Sequence, residues 1–352
     1  MDYYVINKSN VNICSLDLSK AFDRINHNIL FMKLMDRNIP RCVIQVLRDW
    51  YSKSFSIVKW NSCLSKKCPS TAGVRQGGVL SPALFAIFVD HVLDKLKRCG
   101  LGCRLKGLLI NAIMYADDLL LLSNSISDLQ AMVDICVREF ESTDLSINLQ
   151  KSCGIRIGPG YKVSVASISV NKVPIVWKSE LKFLGVHILA SSSFKCNLQP
   201  VRQKIFRSLN GLFGKIGTRS AINVTLSLFN SFCVPILSYG SEALELSCSM
   251  YNVLETAYSS VYYKIFGTYD KKVIKSCQFF CGYLPCYVLI DWKRLNFVHD
   301  LQGIDNFVTK VLFEIQGKKE LVRLMAKHKI TCNFKNSWKS TLWSNFSKEV
   351  DY

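Results

Sequence analysis

The sequence predicts a mixed fold, strands alternating with helices over residues 1–190 followed by a mostly α-helical region. Three observations predict it. Strand-like apolar runs alternate with helix-periodic segments up to about residue 188; residues 108–122 set two apolar runs on either side of "YADD", the pattern of a hairpin; and from Asn197 onward successive segments carry apolar stripes at helical spacing. The stretch "ASSSF" near residue 190 marks the boundary between the two regions.

The first strand is "VNICSLDL", residues 11–18, with Asp17 near its C-terminal end. Ile29, Leu30, Met32, Leu34 and Met35 then recur at helical spacing until Pro40, and "CVIQVLRDWYSK" reads as a second helix. Residues 54–72 alternate like strand and run into "GVRQGGVLSPALFAIFVDHVLDKLK", a glycine-rich turn before a helix with Ser81 as N-cap and Pro82 at its first position. After the hairpin, a helix from Ser127 to Thr143 presents Leu129, Met132, Val133, Ile135, Cys136 and Phe140 to a core, and strands follow near 153–157 and within 163–188. Beyond 197, "VRQKIFRSLNGLFGKI", "NVTLSLFNSFCVPILSYG" and "YNVLETAYSSVYYKIFG" are helical.

Composition narrows the function. The 352 residues are 49% hydrophobic and 20% charged, which excludes a disordered tail, and the net charge of +19 is an electrostatic footprint for an acidic partner. Fifteen cysteines without repeated spacing fit reduced thiols in an intracellular, reducing compartment. Asp90 interrupts one long apolar run and the paired acids another, so no segment approaches a membrane span and the charge points to nucleic acid.

Asp117 and Asp118 stand side by side in a run that otherwise reads as buried strand. Ionised carboxylates there need compensation by a cation or strong hydrogen-bond donors. A solvated hairpin tip is one explanation. A metal site is the other, because Asp17 ends a second apolar strand that the same sheet could pack alongside. Three convergent carboxylates are what a two-metal phosphoryl-transfer site needs, with ions about 3.5–4 Å apart.

"SLDLSKAFDRINH", "GVRQGGVLSPALFAIF", "MYADDLLLLS", "LSINLQKSCGI" and "LKFLGVHI" resemble, in this order, motifs A to E of reverse transcriptases. The chain is similar to the polymerases of non-LTR (LINE-like) retrotransposons. The resemblance implies an α+β fold: a right-hand palm, an antiparallel sheet with packed helices, over 1–190, a thumb-like region over 191–300 and a basic helical segment or tail over 301–352. It also implies an RNA-directed DNA polymerase that transfers nucleotides from dNTP to a DNA primer 3′-hydroxyl on an RNA template. Mg²⁺, or Mn²⁺ in its place, would be the cofactor.

Residue by residue, Asp17, Asp117 and Asp118 match the metal ligands, with Asp17 and Asp117 expected within reach of a shared ion. Phe22 matches the ring beneath the incoming sugar; Asp23 reads as a cap or surface ion pair. Gln76 and Gly77 match the nucleotide and template pocket, although Gly78 and Val79 stand where the family often has a polar residue and proline. Tyr115 opens the "YADD" motif beside the nucleotide. Lys151 matches the lysine that protonates or neutralises departing pyrophosphate, and Gly185 lies in the hairpin that grips the primer.

Residues 195–219 carry Lys195, Arg202, Lys204, Arg207, Lys215 and Arg219 without an acid, a stretch suited to a hybrid duplex. Arg202, Lys204 and Arg207 are its candidate contacts to primer and template. A second basic tract, Lys318 to Lys339, reads as a solvated tail. Cys277, Cys281 and Cys286, with His299 beyond, fit no zinc-knuckle spacing and read as core. Sixteen residues precede Asp17, fewer than a family fingers segment occupies. A 5′-truncated polymerase with impaired extension is therefore expected, and a non-catalytic nucleic-acid-binding remnant is the alternative.

Overall fold

The computed structural model describes residues 2–217, 220–244, 246–331 and 335–350. It is α+β, a mixed region with an antiparallel sheet followed by a largely helical one. The chain divides into two compact units, Met1–Cys196 and Asn197–Tyr352. Strand Lys195–Cys196 pairs with Val186–Leu189 and so keeps the chain in the first unit beyond residue 190.

In the first unit four antiparallel strands lie in the order Cys153–Ile157, Val11–Asp17, Asp118–Ser123 and Ala112–Tyr115. Both faces are covered, which explains four consecutive buried leucines at 119–122. Cys14, Leu16, Leu119 and Leu121 pack with Phe85 and Phe88 of helix Ser81–Cys99 and with Leu129, Met132 and Val133 of helix Ile126–Glu141. Ile13, Leu120, Leu122 and Ile155 face the other way, onto Leu181 and Ile188 of the hairpin Glu180–Phe183 and Val186–Leu189. Because side chains alternate along a strand, Asp17 shares the face of Ile13 and Asp118 that of Leu120.

Ser81 is not the N-cap of its helix. Leu80 occupies that position, and the Ser81 hydroxyl donates to the Arg75 carbonyl at 2.5 Å, fastening the glycine-rich loop instead. Residues 54–72 form one narrow hairpin with two short ladders, Phe55–Ser56 with Cys68–Pro69 and Lys59–Trp60 with Cys63–Leu64.

The second unit packs helices Gln199–Ile216, Ile222–Phe232, Cys248–Phe266 and Cys286–Asp300 around Ile205, Leu209, Phe229, Tyr258, Tyr262 and Ile290. Cys286 belongs to this core, and Cys277 and Cys281 pack against it. Burial raises the pKa of all three thiols.

The described residues of the tract 318–339 form no solvated tail. Helices Lys318–Lys327 and Lys335–Ser347 bring Leu324, Trp338, Leu342 and Phe346 into a core with Leu284 and Leu295. Two of its basic side chains meet an acid outside the tract: the fully buried Asp291 carboxylate accepts from Lys327 at 2.6 Å and His328 at 2.8 Å, and also from Tyr251 at 2.8 Å. Burial opposes ionisation of Asp291, yet the hydrogen bonds from His328 and Lys327 outweigh it and hold the carboxyl below its ordinary value.

A carboxylate with a depressed folded-state pKa adds stability above its unfolded value, about 3.9, and loses that contribution as pH falls through the folded one. Urea unfolding followed against pH should therefore show an acid-side loss of stability that Asp291→Asn flattens, with the variant less stable at neutral pH.

Candidate active site

The site forms where the two central strands end. The antiparallel register sets Asp17 directly across from Asp118, and residues so paired have Cβ atoms about 4.5–5.5 Å apart. Asp117 occupies the turn one residue earlier, between the paired Tyr115 and Asp118. The sequence expectation brought Asp17 together with both Asp117 and Asp118; the register pairs it with Asp118. Ala116 completes the turn at φ 51°, a left-handed conformation that a residue with a Cβ adopts only when its surroundings impose it. Here the buried leucine ladder of Asp118–Ser123 fixes the strand that follows.

Like charges directly opposite one another repel. The Asp118 carboxyl is raised above its ordinary pKa first by partial burial and then by the charges of Asp117 and Asp17, with Lys151 acting the other way. Asp17 Oδ2 is buried and has no hydrogen-bond partner; Lys151 Nζ lies 3.6 Å away, an ion-pair distance. The lysine is largely solvent-exposed, so water screens much of its charge.

Among the described residues no three His, Cys, Asp or Glu side chains gather closely enough to hold a metal ion. The donor set is nonetheless one a hard divalent cation takes. It offers a buried carboxylate oxygen without a hydrogen bond, opposite a second carboxyl that burial, and then its acidic neighbours, make reluctant to ionise.

Lys151 reaches this point because its loop is stitched to the first strand. Asn148 N–H donates to the Asp17 carbonyl at 2.7 Å, and Asp17 N–H donates to Ser152 Oγ at 3.2 Å. Sequence reasoning named neither Asn148 nor Ser152, although both flank Lys151 in "NLQKS". Asp17, Asp118, Lys151, Lys182, Gly185 and His187 are among the walls of one cavity of about 600 Å³. Gly185 (φ 78°) and Leu184 (φ 46°) form the two-residue turn between strands Glu180–Phe183 and Val186–Leu189, a geometry that needs positive φ at both positions. His187 Nδ1 lies 2.5 Å from Glu180 Oε1 beside it.

Phe22, Gln76, Gly77 and Tyr115 do not line that cavity. Phe22 stacks on Phe85, with ring centroids 4.7 Å apart and planes at 12°. Its carbonyl accepts from Val74 N–H at 2.8 Å, and Gln76 donates to Asp23 Oδ1 at 3.3 Å, so the glycine-rich loop is laced to the turn that carries Phe22 and Asp23. Asp23 thus takes part in joining the two motifs. A Cβ on Gly77 would meet nothing, whereas at Gly73 (φ 87°) it would lie 2.8 Å from the Asp23 carbonyl and 2.9 Å from that of Phe22. Gly73→Ala is accordingly expected to destabilise the first unit by about 2 kcal/mol or more, measurable by urea unfolding.

Tyr115 is 66% exposed beside the turn. In the second unit, Lys204 and Arg207 are exposed on helix Gln199–Ile216, while the Arg202 guanidinium lies 5.7 Å from the centre of the Phe206 ring. Arg219 lies outside the described residues.

Residues 2–188 match the protein family described as "Reverse transcriptase (RNA-dependent DNA polymerase)". The chain belongs to the reverse transcriptase family. This reverse transcriptase domain is related to proteins of non-LTR retrotransposons. It is 27% identical over 193 residues to the "Retrovirus-related Pol polyprotein from type-2 retrotransposable element R2DM" of Drosophila melanogaster, covering 53% of this chain and 18% of that protein. It is 29% identical to the "Transposon TX1 uncharacterized 149 kDa protein" of Xenopus laevis, covering 50% of this chain and 14% of that one. The reverse transcriptase chain thus spans a small part of these relatives. Among solved structures it is similar to apo telomerase from Candida tropicalis, at 14% identity and a TM-score of 0.43, covering 96% of this chain and 53% of that one. The antiparallel sheet with its helices lies within the matched residues, and a largely helical region follows it in the chain.

Proposed function

We propose that the chain acts as an RNA-directed DNA polymerase domain of a retrotransposon, joining dNTPs to the 3′-hydroxyl of a DNA primer on an RNA template. The observation that carries this reading is the placement of Asp17 directly across from Asp118, with a buried Asp17 oxygen that no hydrogen bond satisfies. Asp17 and Asp118, with Asp117 from the turn, would hold Mg²⁺ or Mn²⁺ through carboxylate oxygens. Such ions, when bound, act as Lewis acids toward the attacking and leaving oxygens of a phosphoryl transfer.

The chain's own residues supply position and protons. Lys151, held near Asp17 by the Asn148 and Ser152 contacts, gives charge or a proton to departing pyrophosphate. The Phe22 ring, backed by Phe85, limits space at the sugar 2′ position and selects dNTP over rNTP. Gln76, Gly77 and Tyr115 border the nucleotide and template. Gly185 approaches the primer backbone, and Arg202, Lys204 and Arg207 bind primer and template phosphates.

The test is extension of a DNA primer annealed to an RNA template, with dNTPs and Mg²⁺ or Mn²⁺. Elongated primer, even in small yield, that disappears with a chelator is expected. Binding of the primed template without elongation in either metal would overturn the polymerase reading in favour of a non-catalytic nucleic-acid-binding remnant.

A further inference from the structure

Every residue from 55 to 69 is exposed, although this segment forms a paired hairpin in which Phe55 meets Pro69 and Trp60 meets Cys63. It contributes nothing to the cores of the molecule, yet it displays Phe55, Val58, Trp60 and Leu64, with Trp60 at 76% and Leu64 at 68% exposure. An isolated two-stranded hairpin is marginal in water, and so much exposed apolar surface on it calls for a ligand.

Charge indicates which ligand. Lys59, Lys66 and Lys67 lie among these apolar residues, and Lys67 Nζ sits 4.4 Å from the centre of the Phe55 ring. Residues 50–89 hold five Lys or Arg and no Asp or Glu. The centre of a protein interface is poor in lysine, whereas exposed rings interleaved with cations make a platform for bases and phosphates. The root of the hairpin adds a location. Ser70 N–H closes it on the Ser54 carbonyl at 2.9 Å, and the chain then binds through Gly73 to Ile25 and through Val74 to Phe22 at 2.8 Å each before entering Gln76 and Gly77.

We propose that the hairpin of residues 55–69 binds an unpaired nucleic-acid strand, with Trp60 stacking on a base and Lys66 and Lys67 meeting its phosphates. The platform is sequence-tolerant, because every base offers a π-face. It holds whether or not the chain polymerises.

The test is fluorescence anisotropy of labelled oligouridylate with the full chain, with a blunt RNA·DNA hybrid as the comparison ligand. Trp60→Ala should weaken oligouridylate binding about tenfold, the scale of one lost stacking contact, and leave hybrid binding unchanged. Trp60→Phe should retain most of the affinity. Lys66→Gln with Lys67→Gln should weaken binding and flatten its salt dependence. Because these side chains are exposed, the variants should fold as the parent does. Unchanged oligouridylate affinity in Trp60→Ala and in the double lysine variant would overturn the proposal. So would a self-association of the parent chain that Trp60→Ala abolishes at unchanged oligouridylate affinity, which would make the hairpin a protein contact.

Discussion

Asp118→Asn is expected to lower primer extension by about a thousandfold while leaving the fold as stable as the parent or more so. The loss follows from removing one of two opposed carboxylates that would hold the metal; a few kcal/mol of transition-state stabilisation, at about 1.4 kcal/mol per decade, gives that factor. The gain follows from the same geometry. Asp118 faces Asp17 across the ladder and has Asp117 beside it, so neutralising it removes like-charge repulsion worth a few tenths to about 1 kcal/mol.

The pH dependence has a sign of its own. A carboxyl whose folded pKa is raised binds its proton more tightly in the folded state, so its effect on stability is most favourable below the unfolded pKa and is lost as pH rises through the folded one. Asp118→Asn should remove that decline from the stability profile. An acid retained for structure alone would show the reverse: destabilisation on substitution, and activity falling only with the folded fraction.

Arg294→Met is expected to destabilise the second unit by about 3 kcal/mol, the lower end for breaking one partner of a buried ion pair. Arg294 Nε lies 2.6 Å from Glu320 Oε1, with the two side chains 6% and 11% exposed, and the guanidinium also donates to the Leu244 carbonyl. Its loss strands the Glu320 carboxylate, which Arg323 at 2.7 Å compensates only in part from a more exposed position. The double variant Arg294→Met with Glu320→Leu should recover most of the loss, because the buried charge then leaves with its partner. Chemical denaturation of the four members of this cycle measures it; a double variant as unstable as the sum of the singles would show that the two residues do not act as a pair.

What the sequence disclosed depended on whether the deciding contact was local. Strand Val11–Asp17, the hairpin around 116–117 and helix Ile126–Glu141 follow from apolar periodicity, which is a property of neighbouring residues. Register is not local, and so the pairing of Asp17 with Asp118 emerged only from the ladder. The cap position of Ser81 failed as a reading because its hydroxyl found the Arg75 carbonyl across the glycine-rich loop. The tract from 318 looked solvated for the same reason: its basic residues are dense in sequence, while Asp291 and its neighbours on helix Cys286–Asp300 that receive them lie far upstream. The hairpin at 55–69 alternates like a half-buried strand, and nothing in that alternation says that both its faces stay in water.

The central claim is that Asp17 and Asp118 hold divalent metal for nucleotide transfer. Its most direct measurement is Mn²⁺ binding to the full chain with primed RNA template and dNTP, followed by the paramagnetic resonance of the free ion. The account predicts Mn²⁺ uptake by the parent chain that Asp17→Asn and Asp118→Asn each sharply reduce, at unchanged affinity for the primed template. Equal uptake by the parent chain and both variants would contradict it.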